Sequence, residues 1–598
     1  MRIIERLNSE LASLRGAIRT LRMTTPLARY PEHIFPLLIS ELAARYGDSP
    51  ALLSDREKFS FRELNARANQ YARWALSLNI SKGDTVALLM PGRPEFLAVW
   101  IGISAAGGVV ALLNTNLVGA ALAYCVNVVS PKHIIVAGEL LRKFENARAH
   151  IAGDAKVWLH GEDGDFPRVD LEIEGLSGAD LAASERPHLT IDDGALYIYT
   201  SGTTGLPKAA RMPHYRVMLA SHAFAGVMDT RAGDRMYDCL PLYHTAGGLL
   251  ATGSVLIRGG SVVIRDRFSA REFWDDIARW NCTLFLYIGE FCRYLLNAAP
   301  HPQERAHRLR LACGNGLREE IWRHFQERFR IPQIIEFYGA TEGNVFLFNF
   351  DGKPGAVGRL PWWAAGRFPT KLVRYDAERA QPVRDANGFC VECAVNEVGE
   401  VIGQILKQAD KPGARFEGYA SASDGDRKIL RDVFKKDDAW FRTGDLMRKD
   451  KEGYFYFVDR IGDTFRWKGE NVSTTEVEHV LGEFDGIHGA NVYGVAVSGR
   501  EGRAGMAAIV ADENLDLTAL QRHLGEHLPG YARPLFLRIK SDIDVTATFK
   551  QTKLDLVKDG YDPGRSSDPI YFNDPQKKAF VPLDRELYAA IEAGKIRL

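Results

Sequence analysis

Between Phe35 and about Glu342 the chain alternates short apolar strands with amphipathic helices, and this alternation restricts the possible folds more than any other feature. The strands read as Thr85-Val-Ala-Leu-Leu-Met90, 109–113, His133-Ile-Ile-Val-Ala137, Ser261-Val-Val-Ile264, Thr283-Leu-Phe-Leu-Tyr287, Arg310-Leu-Ala312 and Gln333-Ile-Ile-Glu-Phe337, with helices beginning near Pro94 and Ala120. Strands apolar at nearly every position are covered on both faces, and strand–helix–strand repeats join parallel neighbours by crossovers. The expected class is therefore α/β, with parallel sheets flanked by helices. Residues 355–459 change character to many short strands, charged turns and Asp/Gly pairs, which predicts a β-rich subdomain. After Arg460 comes a compact α+β piece, with helices near 475–484 and 517–528 and strands near 490–497 and 504–510. The expected organisation is an amphipathic segment at 1–30, a large domain at 31–460 containing the β-rich part, and a small C-terminal α+β domain at 461–598.

At 598 residues the chain can bury two or three cores. Seventy-six Lys and Arg balance 76 Asp and Glu, so there is no overall positive field of the kind that draws nucleic acid, and any anion site must be local. Seven scattered cysteines make an odd set without a disulfide framework, which fits a reducing compartment; Cys390-x-x-Cys393 lacks the second pair a zinc site needs. Arg2, Glu5, Arg6 and Glu10 interrupt the place where a signal peptide has its apolar core, so none is expected. Instead Ile4, Leu7, Leu11, Leu14, Ile18 and Leu21 recur at three- and four-residue steps, beside Arg2, Arg6, Arg15, Arg19 and Arg22. Such a basic amphipathic helix suits an anionic membrane surface, and equally suits docking on the protein body or another subunit. The uncharged run from Phe96 to Leu113 approaches the roughly 20 residues of a membrane span. Gly102, Gly107 and Gly108 break it, and it reads better as a buried helix followed by a buried strand.

The densest local signal is Tyr199-Thr-Ser-Gly-Thr-Thr-Gly-Leu-Pro-Lys208, which follows the apolar run from Gly194. Glycines let the backbone approach an anion, Ser201, Thr203 and Thr204 add hydroxyl donors, and Lys208 adds a positive charge. The spacing is not that of a Walker A loop, because Pro207 precedes the lysine.

With this loop the chain resembles the adenylate-forming superfamily of acyl-CoA synthetases, luciferases and peptide-synthetase adenylation domains. Within it, the chain is most similar to the fatty acid transport protein and very-long-chain acyl-CoA synthetase branch. That match rests on Tyr454-Phe-Tyr-Phe-Val-Asp-Arg-Ile-Gly-Asp-Thr-Phe-Arg-Trp-Lys-Gly-Glu-Asn-Val-Ser473, on Ala312-Cys-Gly-Asn-Gly-Leu-Arg318 and on Thr548-Phe-Lys550, in the family's order from about residue 30 onward. The resemblance implies a large N-terminal domain and a small mobile C-terminal one joined near Ile461 and Gly462. It also implies the reaction: carboxylate and ATP give acyl-adenylate and pyrophosphate, and thiolate attack then gives acyl-CoA and AMP.

The residue roles follow from the same resemblance. Thr200, Ser201, Gly202, Thr203, Thr204, Gly205 and Lys208 form the phosphate loop. Gly314, Asn315 and Gly316 form the adenine turn, and Phe337, Tyr338 and Gly339 complete the nucleotide site, with Tyr338 packed on adenine. Thr341 takes the α-phosphate and Glu342 the Mg²⁺, an ion that uses one or two carboxylates with phosphate oxygens. Asp445 accepts the ribose hydroxyls and Arg460 adds a ribose or phosphate contact. His244 matches a residue lining the acyl channel, with a purely structural histidine as the other reading of the same position. Lys550 bridges carboxylate and α-phosphate during adenylation, and Lys553 is a weaker candidate for that task. Gly469 lets the thiol of coenzyme A pass. Gly462 departs from the Asp or Lys common at the hinge, which bears on the balance between the two domain orientations.

The implied cofactors are ATP, Mg²⁺ and coenzyme A, and the implied substrate is a long or very long chain fatty acid. A bile or sterol acid, or fatty acid uptake with secondary acylation, are the competing functions. The expected setting is cytoplasmic, on the inner face of a membrane, with oligomeric state open and a homodimer included.

Overall fold

The computed structural model describes residues 2–161, 164–200, 207–364, 366, 370–376, 379–406, 415–468, 470–500, 502–542, 553–596 and 598. The chain forms two compact units: one of residues 1–370, 402–443 and 452–454, the other of 371–401, 444–451 and 455–598.

The first unit carries two large sheets. One runs Lys156–His160, His133–Ala137, Thr85–Leu89, Val109–Leu112, Gly194–Thr200, Lys208–Pro213, all parallel except for the last strand. The other runs Phe346–Asn349, Ile334–Gly339, Leu311–Asn315, Leu284–Ile288, Arg235–Asp238, Ser261–Ile264, Pro50–Leu53, Lys58–Ser60, parallel inside and antiparallel at both edges. The α/β expectation and the strand order along the chain hold. The run from Phe96 to Leu113 is the buried helix Pro94–Ala105 followed by the buried strand Val109–Leu112. Among the described residues no helix is long and apolar enough to cross a membrane.

From 358 to 460 the regular elements of the described chain are strands, including Thr370–Asp376, Val398–Gln404, Ala439–Lys449 and Tyr454–Arg460, apart from one short helix at Ala422–Asp426. In the second unit a five-stranded sheet, Ile487–Val495, Ala504–Ala511, Phe536–Ile539, Ile570–Asp574, Ala579–Pro582, packs with helices Thr474–Gly482 and Leu517–His527 around its own apolar core.

The N-terminal helix, Arg2–Thr24, is docked on the first unit, and through the face opposite to its apolar stripe. Ser13, Gly16 and Thr24 are buried, whereas Leu7, Leu11, Leu14 and Ile18 keep 58, 46, 41 and 39% of their surface. Small residues permit this close approach: a Cβ on Gly16 would lie 2.4 Å from the Phe350 ring, and one on Gly226 would lie 2.6 Å from the backbone of Thr20. Polar contacts fix the register. Ser9 donates to Asp351, Arg19 Nε donates to the Gly226 carbonyl at 3.0 Å, and Glu10 accepts from Arg359 and from Trp363 Nε1.

Candidate active site

Strands Gly194–Thr200 and Lys208–Pro213 pair as a hairpin, with Thr200 opposite Lys208, so the phosphate-type loop is the connection between two hydrogen-bonded strands. Ser201, Gly202, Thr203, Thr204 and Gly205 lie outside the described residues; Thr200 and Lys208 mark the two ends of the loop. Lys208 is buried, and its Nζ stands 2.9 Å from Asp424 Oδ1 and 5.7 Å from the centre of the Tyr419 ring. Residues 418–420 run along the hairpin's outer strand, with Ala420 N donating to Ala209 O at 2.8 Å. This puts the Tyr419 phenol between the loop and the next group of residues. It donates to Glu342 Oε1 at 2.7 Å and also meets the Thr200 hydroxyl. Burial, and then the Glu342 carboxylate beside it, raises the Tyr419 pKa, which keeps the phenol a donor.

Thr341 and Glu342 sit in the turn between strands Ile334–Gly339 and Phe346–Asn349. The Thr341 hydroxyl is 2.9 Å from that of Thr245, and the Thr341 carbonyl accepts from Arg216 Nη2 at 2.5 Å. Arg216 is buried, its Nη1 has no hydrogen-bond partner among the described residues, and burial lowers its pKa against the pull of Glu417 and Glu342. His244 immediately precedes Thr245, and its ring centre lies 4.6 Å from that of Tyr243. The following residues, Ala246–Ala251, form a π-helical turn, a distortion found disproportionately at functional sites. A Cβ on Gly248 would meet the Leu242 carbonyl at 2.2 Å, so glycine is required for this turn to fold back over the His244 loop. The Thr245–Thr341 contact therefore joins the His244 loop to the Glu342 turn. Among the described residues no group of three His, Cys, Asp or Glu could hold a metal. The donor set at Glu342, one carboxylate near hydroxyls, matches a Mg²⁺ that completes its shell with phosphate oxygens and water.

Gly314 and Asn315 end strand Leu311–Asn315, and Gly316, at φ +81°, turns the chain away. Asn315 and Gly316 are exposed. Tyr338 and Gly339 do not follow the strand, as the sequence suggested, but form its last two residues. Antiparallel pairing of Tyr338 with Leu347 and Gly339 with Phe346 extends the ladder. Phe337 is buried with its ring 4.8 Å from that of Phe224, so its side chain belongs to the core.

In the second unit Asp445 and Arg460 face each other across strands Ala439–Lys449 and Tyr454–Arg460, with Arg460 Nε 3.3 Å from Asp445 Oδ1. Gly462 adopts φ +102°, which other residues rarely reach. Lys553 donates to Thr474 Oγ1 at 2.8 Å and lies 3.6 Å from both Asp463 and Glu478, and is thus committed to an internal ionic cluster. The same cluster includes Asp459, whose carboxylate accepts from Thr474 N at 2.7 Å and whose pKa burial raises. Lys550 and Gly469 lie outside the described residues.

The AMP-binding enzyme family matches residues 39–382, and its C-terminal domain matches 476–550. The chain belongs to this family of AMP-binding enzymes. Long-chain fatty acid transport protein 1 of Mus musculus is 42% identical over 573 residues, covering 94% of this chain and 88% of the relative. Long-chain fatty acid transport protein 2 of Rattus norvegicus is 39% identical over 98% of this chain and 94% of its own length. Two solved structures share the fold. The anthranilate CoA ligase AuaEII in complex with anthranoyl-AMP matches with a TM-score of 0.74 at 21% identity, over 88% of this chain and 96% of that one. ATP-bound MatB from Rhodopseudomonas palustris matches at 0.73 and 24%, over 88 and 98%. For an AMP-binding enzyme, the sequence reading gives no role to four residues that tie the first-unit site together: Arg216, Thr245, Tyr419 and Glu336. Each is defined by a partner between 19 and 125 positions away. A charged residue inside an apolar element was the visible signal for two of them, Arg216 in helix His214–Met228 and Glu336 in strand Ile334–Gly339.

Proposed function

We propose that the chain is an ATP- and Mg²⁺-dependent ligase that converts long or very long chain fatty acids to acyl-CoA through an acyl-adenylate. The observation that carries this reading is the link from the phosphate loop through Tyr419 to Glu342, and through Thr341 and Thr245 to the His244 loop. It supports a triphosphate, a metal-binding carboxylate and an acid meeting in one place. Thr200, residues 201–205 and Lys208 hold the phosphates, and Glu342 holds Mg²⁺, which neutralises phosphate charge. Thr341 orients the α-phosphate. Gly314, Asn315, Gly316, Tyr338 and Gly339 receive the adenine, with Phe337 supporting them from the core. Asp445 and Arg460 contact the ribose.

A carboxylate oxygen attacks the α-phosphorus, the bond to the β-phosphate oxygen breaks and pyrophosphate leaves. No general base is needed, because the acid is already ionised near neutral pH. His244 therefore lines the acid's path and does not act as a base. Lys550 supplies the cation between the two reacting anions, where positioning and electrostatics provide most of the rate. In the second step the thiolate of coenzyme A, admitted past Gly469, attacks the acyl carbon and AMP leaves. The test gives purified protein ATP, Mg²⁺, CoA and acids of graded chain length and measures AMP and acyl-CoA together. Equal amounts of both, greatest with long chains, are expected. Turnover confined to bile or sterol acids, or fatty acid uptake that survives Glu342→Gln, would overturn the reading.

The same protein is proposed to lie peripherally on the inner, cytoplasmic face of a membrane. Support comes from the outward stripe Leu7, Leu11, Leu14 and Ile18, flanked by exposed Arg6, Arg15 and Arg22, with Trp362 84% exposed beside the Trp363 contact to Glu10. Apolar side chains enter the acyl boundary while arginines meet anionic headgroups. Replacing Leu7, Leu11 and Leu14 by Gln should abolish sedimentation with anionic vesicles and spare turnover of detergent-dispersed acid. High salt should reproduce part of the loss. Unchanged vesicle binding would contradict it.

A further inference from the structure

Tyr287, Gly314 and Glu336 stand side by side on three neighbouring parallel strands, Tyr287 in register with Gly314 and Gly314 with Glu336. The middle residue has no side chain. A Cβ on Gly314 would lie 2.3 Å from the Tyr287 carbonyl and 2.4 Å from its ring, so glycine opens the gap through which Tyr287 reaches across to Glu336. The Tyr287 hydroxyl donates to Glu336 Oε2 at 2.5 Å, and Leu317 N donates to Oε1 at 3.1 Å. The Gly316 amide bonds the same carboxyl. Gly289 completes the bed, since a Cβ there would lie 1.7 Å from the Gly316 carbonyl.

Glu336 is 1% exposed, and burying a carboxyl costs several kcal/mol unless it is fully hydrogen-bonded. Among the described residues the titratable groups facing it are Tyr287, Cys292 and Cys313, none of them a cation. An apolar residue would fill the space, but it would leave the inward-facing amides of Gly316 and Leu317 unpaired. The carboxyl serves either way it is charged. Ionised, it accepts from the phenol and both amides; protonated, it donates to the phenol oxygen through Oε2 and still accepts the amides at Oε1.

We propose that Glu336 and Tyr287 are positioning residues for the nucleotide: together they clamp the underside of the 314–317 turn and fix the height at which exposed Asn315 and Gly316 meet adenosine. The inference rests on the reading of this turn as part of the ATP site. A contact made equally in ground and transition states changes KM and not kcat. With its amides unpaired the 314–317 turn is no longer fixed in place, so Glu336→Leu should raise the KM for ATP roughly tenfold or more, with kcat at saturating ATP and the KM for the acid nearly unchanged. Glu336→Gln, whose Oε1 accepts the amides and whose Nε2 donates to the phenol oxygen, should restore ATP affinity to within about threefold. If Glu336→Leu does not fold, Tyr287→Phe decides, and should raise the ATP KM about threefold to tenfold without lowering kcat. Equal rises in the KM for ATP and for the acid, a fall in kcat alone, or an unchanged ATP KM in Tyr287→Phe would overturn the proposal. Asn315→Trp separates the positioning role from nucleotide contact by the turn itself. If it leaves the ATP KM unchanged, the turn does not touch nucleotide and the underlying reading fails. If it raises the ATP KM while the Glu336 and Tyr287 variants do not, the positioning role alone fails.

Discussion

Adding one methyl group at Gly226 tests how the N-terminal helix is held. The new Cβ would lie 2.6 Å from Thr20 Cα, 2.8 Å from Thr20 N and 3.0 Å from Arg19 C, all backbone atoms that no rotamer change can move away. The two helices must therefore separate by about an ångström. Overpacking of this kind costs about 1–3 kcal/mol. The bond from Arg19 Nε to the Gly226 carbonyl lengthens as well, a loss of about 1 kcal/mol. Against these, Gly→Ala inside helix His214–Met228 gains about 1 kcal/mol of helix propensity. The net destabilisation is about 1–3 kcal/mol. The control is Gly525→Ala in helix Leu517–His527, where the nearest atom would be Arg533 Nη1 at 4.0 Å. Only the propensity gain remains there, so the same substitution should stabilise slightly. Amide exchange resolved to residues 2–24 reads the docking directly, and Gly226→Ala should accelerate it about tenfold for each 1.4 kcal/mol lost. Exchange in that helix as slow as in the unmodified protein, or a higher unfolding temperature in Gly226→Ala than in Gly525→Ala, would refute the close packing of the two helices.

Two further outcomes are expected. Burial pushes Glu336 up to about 8 from an ordinary value of 4.5, so between these values the folded state holds a proton that the unfolded chain has released. Its contribution to stability is complete below about pH 4.5 and is lost as pH rises through about 8, up to about 5 kcal/mol in all. Thermal midpoints of Glu336→Gln should therefore gain on the unmodified protein as pH rises from 5 to 9, and a constant difference would contradict this. Lys550→Ala should slow acyl-adenylate formation severely and leave thioesterification of supplied acyl-adenylate nearly intact. Equal loss in both half-reactions would assign the lysine to both orientations or to folding.

The parallel strands were legible because complete burial imposes an apolar run that sequence displays directly: His133–Ala137 and Ser261–Ile264 have the bounds their residues suggested. Strand ends fixed by a partner were not. Tyr338 and Gly339 are strand because Leu347 and Phe346 pair with them, and Thr200 and Lys208 are paired across the loop they flank. The N-terminal helix was legible as a helix with an apolar stripe, but its docking face was not. Periodicity finds the stripe of leucines, whereas the contact surface is chosen by the absence of bulk at Gly16 and Gly226. The buried charges Arg216 and Glu336 escaped notice for a related reason. A charged residue in an apolar segment is interpretable only once its distant partners, Thr341 or Tyr287 and Leu317, are known.

In the proposed reaction the first chemical step joins the acid to AMP before coenzyme A takes part. Exchange of labelled pyrophosphate into ATP, with Mg²⁺ and a long-chain acid present and coenzyme A absent, measures that step alone. Exchange should depend on both the acid and Mg²⁺ and should fall sharply in Glu342→Gln. Exchange independent of the acid, or acyl-CoA formation without any acid-dependent exchange, would contradict an acyl-adenylate intermediate.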